Sequence, residues 1–207
     1  AMAVFEPVKV TLTNFPETSE EENFEINPND ESAGTRKITI SKHIYIDAED
    51  FSLNPPPKYF RLKKDGYVRL KNAYIIHCDD VKLREDGSVE ELLCSYVPES
   101  RSGNDTSGIK VKGVIHWVNA ETAVDAEIRK YDYLLKDAEY PGQDFSERMN
   151  YDSVHVYNGK AEPYLAEVAN GTSFQLMRKG YYKKIVEDGK LVLSEIVSLK
   201  DSFVIKK

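Results

Sequence analysis

Between Lys58 and Lys71 the chain carries six bases and three aromatic residues against a single acid, Asp65. Strand alternation places Tyr59, Arg61 and Lys63 on one face and Phe60, Leu62 and Lys64 on the other. Beyond Asp65-Gly66, Tyr67, Arg69 and Lys71 share a face while Val68 and Leu70 point inward. Such a ribbon offers what an unpaired nucleic-acid strand requires: rings for bases to stack on, forked guanidinium donors for base edges, and cations for phosphates. A second cluster holds Gln175, Arg178, Lys179, Tyr181, Tyr182, Lys183 and Lys184. Gln reads a base edge with its paired donor and acceptor, and Arg takes a base or phosphate bidentately. A third, weaker set is Arg36, Lys37 and Lys42. Each set also suits a solvated basic strand at a sheet edge, where Lys commonly guards against mispairing.

Other chemistry is poorly served. The chain has no Gly-rich phosphate loop, no His-Glu-x-x-His, no Cys-x-x-Cys and no Gly-x-Ser-x-Gly. The run His77-Cys78-Asp79-Asp80 offers metal-ligating types, but adjacent strand residues face opposite ways and cannot all converge. His116 beside Trp117 reads as a hydrogen-bonded core histidine. No catalytic centre is expected, and no metal site.

The elements that must carry the two clusters are mainly strands. Asp65-Gly66, Asp86-Gly87, Asn158-Gly159 and Asp188-Gly189 each lie between strand-like runs and fit tight hairpin turns, whose central residues take positive φ. Thirteen Tyr and eight Phe add to the β bias. Val111–Val118 reads as a buried strand. Helix is expected only as a short piece at about 163–170, after Pro163, and as a single turn at Asp47–Phe51. Residues 120–135 fit helical and strand spacing nearly equally. Loops are expected at Glu17–Gly34 (acidic and solvated), Asn54–Pro57, Pro98–Gly108 and Asp137–Asn150. The fold class is therefore all-β in the main.

The 207 residues carry a formal charge of −7, which as a global figure argues against a nucleic-acid partner. Residues 1–31 hold all of it: eight acids and one base, Lys9. The remaining residues carry 27 charges of each sign, so the body is neutral. No run approaches the roughly 18 apolar residues of a membrane span, and no secretory signal is seen, so a cytoplasmic protein with no membrane partner is expected. Cys78 and Cys94 fit a reducing compartment, and the acceptor patterns at Asn104 and Asn170 then read as chance matches.

A family resemblance joins these pieces. The opening Ala1–Val10 resembles the start of the C-terminal anticodon-binding region of glutaminyl-tRNA synthetases, as do Ile44–Asp47 with Asp50-Phe51, and Val68–Tyr74. The most distinctive match is Lys110–Val118, followed by Glu127–Arg129, Tyr131–Leu134, Ala161–Pro163 and Phe174-Gln175. The resemblance covers nearly the whole chain. It implies two stacked antiparallel β-barrels with short helices, divided here at 1–125 and 126–207, the N-terminal strand being a candidate to pair with the second barrel. It also implies that Glu127–Leu134 is strand. Its anticodon-binding positions map onto Lys58, Arg61, Arg69, Lys71, Gln175 and Arg178. Bacterial examples often carry Gln at Lys58, Lys at Phe60 and Arg at Lys71, and Lys71 lacks the forked geometry of Arg.

The implied partner is the anticodon loop of tRNA(Gln), bound by a monomer working with an N-terminal catalytic domain. That domain's His-Ile-Gly-His-like and Lys-Met-Ser-Lys-Ser-like motifs are absent here. No cofactor is expected on this fragment, whereas the full-length enzyme would use ATP with magnesium. The same region of a glutamyl-tRNA synthetase is the alternative reading, and an extracellular β-sandwich carbohydrate-binding module a remote one.

Overall fold

A computed structural model describes residues 1–136 and 144–199. Two large sheets dominate. The first orders its strands Val114–Ile115, Tyr67–Leu70, Ile75–Leu83, Val89–Val97, Pro7–Leu12, His43–Asp47 and Val118–Asn119. The second runs Ala3–Val4, Val154–Ala161, Val124–Tyr131, Lys190–Ser198, Gly180–Glu187 and Ser173–Leu176. Both curl into barrel-like halves, so the mainly β, barrel-based class holds. Pairing is largely antiparallel, with parallel joins at Val89–Val97 on Pro7–Leu12 and at Val124–Tyr131 on Lys190–Ser198. Residues 120–135 resolve as strand over Val124–Tyr131.

Each sheet encloses its own core. Val10, Leu12, Ile44, Ile46, Leu70 and Trp117 lie in the first, and Phe5, Ile128, Leu165, Leu176, Tyr182 and Leu193 in the second. The chain enters the second sheet at Ala3–Val4, crosses to the first at Pro7, and returns at Val124.

Two of the four expected hairpins form as read. Asp86-Gly87 joins Ile75–Leu83 to Val89–Val97, with Gly87 at φ +82° and the Asp86 carboxylate accepting from the Ser88 N–H at 2.8 Å. Asp188-Gly189 joins Gly180–Glu187 to Lys190–Ser198, both turn residues having positive φ. The other two differ. Asn158-Gly159 lies inside the strand Val154–Ala161, where a Cβ on Gly159 would meet the Val4 carbonyl oxygen at 2.3 Å. Gly is there for a close backbone approach, not for a turn. Asp65-Gly66 does turn, but Leu62–Lys63 pairs in parallel with Phe51–Ser52, while Tyr67–Leu70 pairs with Ile75–Leu83. Arg61 and Arg69 therefore do not share one ribbon.

Val111–Val118 is extended but contributes only the short pairings Val114–Ile115 and Val118–Asn119, on opposite edges of the first sheet. The short helix spans Tyr164–Glu167 after Pro163, and the single turn is a 3-10 turn at Ala48–Asp50. Of the loop expected at Asp137–Asn150, residues 137–143 lie outside the described residues, and Phe145–Arg148 is a helical turn.

The acidic stretch is not a free loop. Glu20–Glu25 is a strand paired with Thr35–Ile40, and its side chains take up nearby cations and hydroxyls. Lys37 meets Glu21 at 2.7 Å, Lys42 pairs with Glu17, Arg101 with Glu22, and the Tyr74 hydroxyl donates to Glu20 at 2.7 Å. Of the third basic set, Lys37 and Lys42 are thus neutralised locally, while Arg36 pairs with the distant Glu162.

Glu91 ties three neighbouring strands together, accepting from Thr11 Oγ1 at 2.6 Å and from Lys82 at 2.6 Å, with Lys9 at 3.3 Å. Hydrogen bonds from Lys82 and Thr11 are the main reason its carboxyl falls from 4.5 to about 2. A carboxyl that is more acidic when folded contributes stability above its unfolded value and loses it on acidification. Between pH 4.5 and about 2 the denaturation midpoint should fall. Glu91→Gln should flatten that limb of the midpoint-against-pH curve and leave its shape above pH 6 unchanged.

Candidate nucleic-acid interface

The two basic clusters, far apart in sequence, meet at the Ala48–Asp50 turn. His43–Asp47 delivers the chain to this turn, the Ala48 N–H donates to the Glu6 carbonyl at 2.8 Å, and buried Phe51 anchors the exit. Asp50 is thereby driven inward, its side chain only 1% exposed. A buried carboxylate needs cationic hydrogen-bond partners. Arg178 supplies two, Nη2 to Oδ1 at 2.8 Å and Nη1 to Oδ2 at 3.1 Å, a forked pair. Arg61 adds its Nε at 3.3 Å from Oδ1 and donates Nη1 to the Glu49 carbonyl at 2.8 Å. Lys179 completes the group, reaching Asp47 at 2.9 Å and Glu49 at 2.6 Å, with its ammonium 4.6 Å from the Phe5 ring centre.

Burial pulls the Asp50 carboxyl above its ordinary value, against the opposing pull of Arg178 and Arg61. At Glu49 burial acts the same way, but the bond from Lys179 and the nearby guanidinium groups outweigh it and hold the carboxyl low. Burial raises the Tyr59 phenol to about 12, so it stays a hydroxyl and donates to the Glu49 carbonyl at 3.4 Å.

Three cations thus face three carboxylates, and the junction is neutral as a whole. Its value lies in oriented donors. A guanidinium has five N–H groups. Arg178 spends two on the turn and Arg61 one, with its Nε beside Asp50 as an ion pair, and both side chains keep further donors at 31% and 38% exposure. Free charge is supplied elsewhere: Lys58 and Lys63 are exposed and Lys71 half-buried, none with an ion-pair partner among the described residues.

Two of the named residues hold left-handed backbone, Lys58 at φ +64° and Arg178 at φ +65°. For residues with a Cβ this costs about 1–2 kcal/mol, and such strain persists where its surroundings over-determine it. At Arg178 the fork to Asp50 does so.

The remaining residues sit apart from that fork. Arg69 is committed to the 100–105 loop, donating to the Ser100 carbonyl at 2.6 Å and pairing with Asp105. Lys71 lies in the turn just after that strand, and its carbonyl accepts from the buried Trp117 Nε1 at 2.9 Å. Gln175 is exposed on Ser173–Leu176, opposite Tyr181. Phe60 is 49% exposed and lies under Lys112, 5.2 Å from its ammonium, so it is a surface ring and not core. His116 is buried without a partner for Nε2 among the described residues. Burial, then Arg178 and Lys179, push its pKa down to about 3, so it is neutral.

The run His77–Asp80 does not converge, as alternation requires: His77 bonds Asp79 at 2.6 Å, Asp80 takes Lys64 at 2.7 Å, and Cys78 points into the core. Both cysteines are free and buried.

Sequence reasoning found the cations and the single turn at Asp47–Phe51 but missed that the acids of this turn organise them. Three carboxylates within Asp47–Asp50 were the only signal of that role, and their partners at Arg178 and Lys179 lie about 130 residues away.

Comparison with known proteins identifies the family. The family model described as tRNA synthetases class I (E and Q), anti-codon binding domain, matches residues 1–97, and a second model of the same description matches 114–184. A glutamine–tRNA ligase from Rhodopirellula baltica is 46% identical over 98% of the chain, and one from Clostridium perfringens 45% identical over 100% of the chain. One from Nitrobacter winogradskyi is 41% identical over 98%. The chain spans only 35–38% of the length of these relatives. It belongs to the anticodon-binding domain family of the class I glutamyl- and glutaminyl-tRNA synthetases.

Proposed function

We propose that this chain recognises the anticodon loop of tRNA(Gln) for a glutamine–tRNA ligase. The parent enzyme would join glutamine to tRNA using ATP with magnesium. The chain is read as two modules, 1–125 and 126–207, the first lending Ala3–Val4 to the second, acting as a monomer in the cytoplasm. Lys58, Arg61, Arg69, Lys71, Gln175 and Arg178 are the residues assigned to the loop. The observation that carries the reading is the meeting of Arg61 and Arg178 on Asp50, which takes the Arg178 fork from one module and an ion pair from Arg61 of the other at one turn.

The geometry divides the labour. Arg61 and Arg178 are charge-neutralised and oriented, which suits base edges. Lys58 and Lys71 are free cations, which suits phosphates. Arg61→Ala and Arg178→Ala should each cost about 1–3 kcal/mol on the cognate anticodon stem-loop and relax base discrimination. Lys58→Ala and Lys71→Ala should weaken all loops alike and lower the salt slope by about 1 each. Fluorescence titrations of cognate, single-substituted and scrambled loops over a salt series measure both. Equal binding of cognate and scrambled loops at low salt would overturn the reading.

A further inference from the structure

We infer that Asp50 is a positioning residue that makes Arg61 and Arg178 act as one recognition unit, so that loss of either guanidinium disables the other. The inference deepens the anticodon reading and rests on it.

Asp50 Oδ1 is shared. It lies 2.8 Å from Arg178 Nη2 and 3.3 Å from Arg61 Nε, while Oδ2 takes Arg178 Nη1 at 3.1 Å. The carboxylate itself cannot move to follow either partner. Its residue closes a 3-10 turn fixed by the Ala48 N–H on Glu6 and by the buried ring of Phe51. The next acid in line, Asp47, is likewise fixed, accepting from the Phe5 N–H at 3.0 Å and from Lys179.

Each guanidinium is therefore oriented by a rigid group that the other also touches. If Arg178 is lost, Asp50 keeps one partner for a charge buried to 1% exposure, and Arg61 is drawn inward to neutralise it. Its outward N–H groups then leave the direction in which they meet a base. The converse holds for Arg178, whose left-handed backbone is held against its own strain by the fork. One buried carboxylate thus makes the reading of two loop positions conditional on each other.

The test uses the 207-residue chain and anticodon stem-loops of a glutamine tRNA. Arg61→Lys, Arg178→Lys and the double variant are titrated in the wild-type and Asp50→Asn backgrounds. Thermal unfolding and side-chain NMR of the Arg Nε–H and Nη–H groups are recorded alongside. The expected result is a coupling of about 5-fold or more in the wild-type background, falling to additivity in Asp50→Asn. Asp50→Asn alone should lose about 10-fold on the cognate loop with an unchanged salt slope, and its guanidinium signals should broaden. The wild-type cycle decides the matter even where Asp50→Asn unfolds. Additive losses in the wild-type background, or coupling that survives Asp50→Asn, would overturn the inference. So would tighter binding by Asp50→Asn, which would make the carboxylate a competitor of RNA. In each of these cases a chain that still discriminates cognate from scrambled loops leaves the anticodon reading intact. Failure of the wild-type chain to discriminate refutes that reading, and the coupling with it.

Discussion

Gly113→Ala should destabilise the chain by about 3 kcal/mol, the upper end of overpacking, and should weaken cognate stem-loop binding more than 10-fold. A Cβ at this position would stand 1.6 Å from the Phe60 carbonyl oxygen and 2.8 Å from its carbon. Both atoms are backbone, so no rotamer change relieves the clash. Neither side yields freely. The Gly113 carbonyl accepts from the Arg69 N–H at 3.1 Å, and the next residues pair in register, Val114 with Arg69 and Ile115 with Leu70. Ile115 is fully buried beyond them. The Phe60 segment must therefore shift, carrying Arg61 away from Asp50 and Glu49.

The functional loss should exceed what stability predicts, because Arg61 leaves the carboxylate that also orients Arg178. Urea denaturation gives the first quantity and stem-loop titration under native conditions gives the second. Wild-type binding by a destabilised Gly113→Ala chain would show that the 59–61 segment contributes no base contact. Gly113 lies in the Lys110–Val118 run that carried the strongest resemblance. That run has a physical role, since it lies against the backbone that positions Arg61.

What was legible in the sequence was local. Asp188-Gly189 forms a two-residue hairpin turn with both residues at positive φ, and Asp86-Gly87 closes the slightly longer 84–88 connection with Gly87 at positive φ, because such turns are decided by their own residues and flanking strands. Asn158-Gly159 has the same chemistry and sits in mid-strand, because the backbone at Val4 crosses it from more than 150 residues earlier. A dipeptide cannot announce that. Val124–Tyr131 carries helical and strand spacing together, and its neighbours on both sides, Val154–Ala161 and Lys190–Ser198, settle it as strand.

The candidate site divides in the same way. Arg61 and Arg178 were visible as residue types near aromatics, and alternation correctly turned Val68 and Leu70 inward. The single ribbon at 58–71 was not real, because the strand before the turn pairs with Phe51–Ser52 and not with the strand after it. Charge was the most misleading feature. The acids of residues 17–25 are largely consumed by Lys37, Lys42, Arg101 and Tyr74, and the acids of 47–50 by the very cations expected to meet RNA. Net charge counts both groups as repulsion, whereas one braces the first barrel and the other aims the arginines.

The largest effect on stability is expected at Glu162, where replacement by Gln should cost about 3–5 kcal/mol, the range for removing one partner of a buried pair. Glu162 follows the strand Val154–Ala161 of the second sheet, while Arg36 comes from Thr35–Ile40 against the first core. Their side chains are 2% and 5% exposed, with Arg36 Nε 2.5 Å from Oε1. Glu162 Oε2 also takes the Met2 N–H at 3.0 Å, so one carboxylate serves both the guanidinium and the backbone where the chain passes between sheets. The Arg36 guanidinium lies 5.7 Å from the Phe24 ring centre and 5.9 Å from that of Tyr164, and has no route to water. Glu162→Gln leaves that cation buried without a counter-charge. Replacing both residues by apolar ones of similar volume, Arg36→Met with Glu162→Leu, should recover most of the loss, because desolvation of the pair offsets much of its attraction. Chemical denaturation of the two single variants and the double variant checks this. Recovery in the double variant would identify the pair as a device that fixes how the two cores meet, since that geometry sets the spacing of Arg61 and Arg178 across Asp50. The double variant should accordingly regain stability yet bind the cognate stem-loop with reduced discrimination, and full discrimination would show that the Asp50 turn alone holds the two sheets in register.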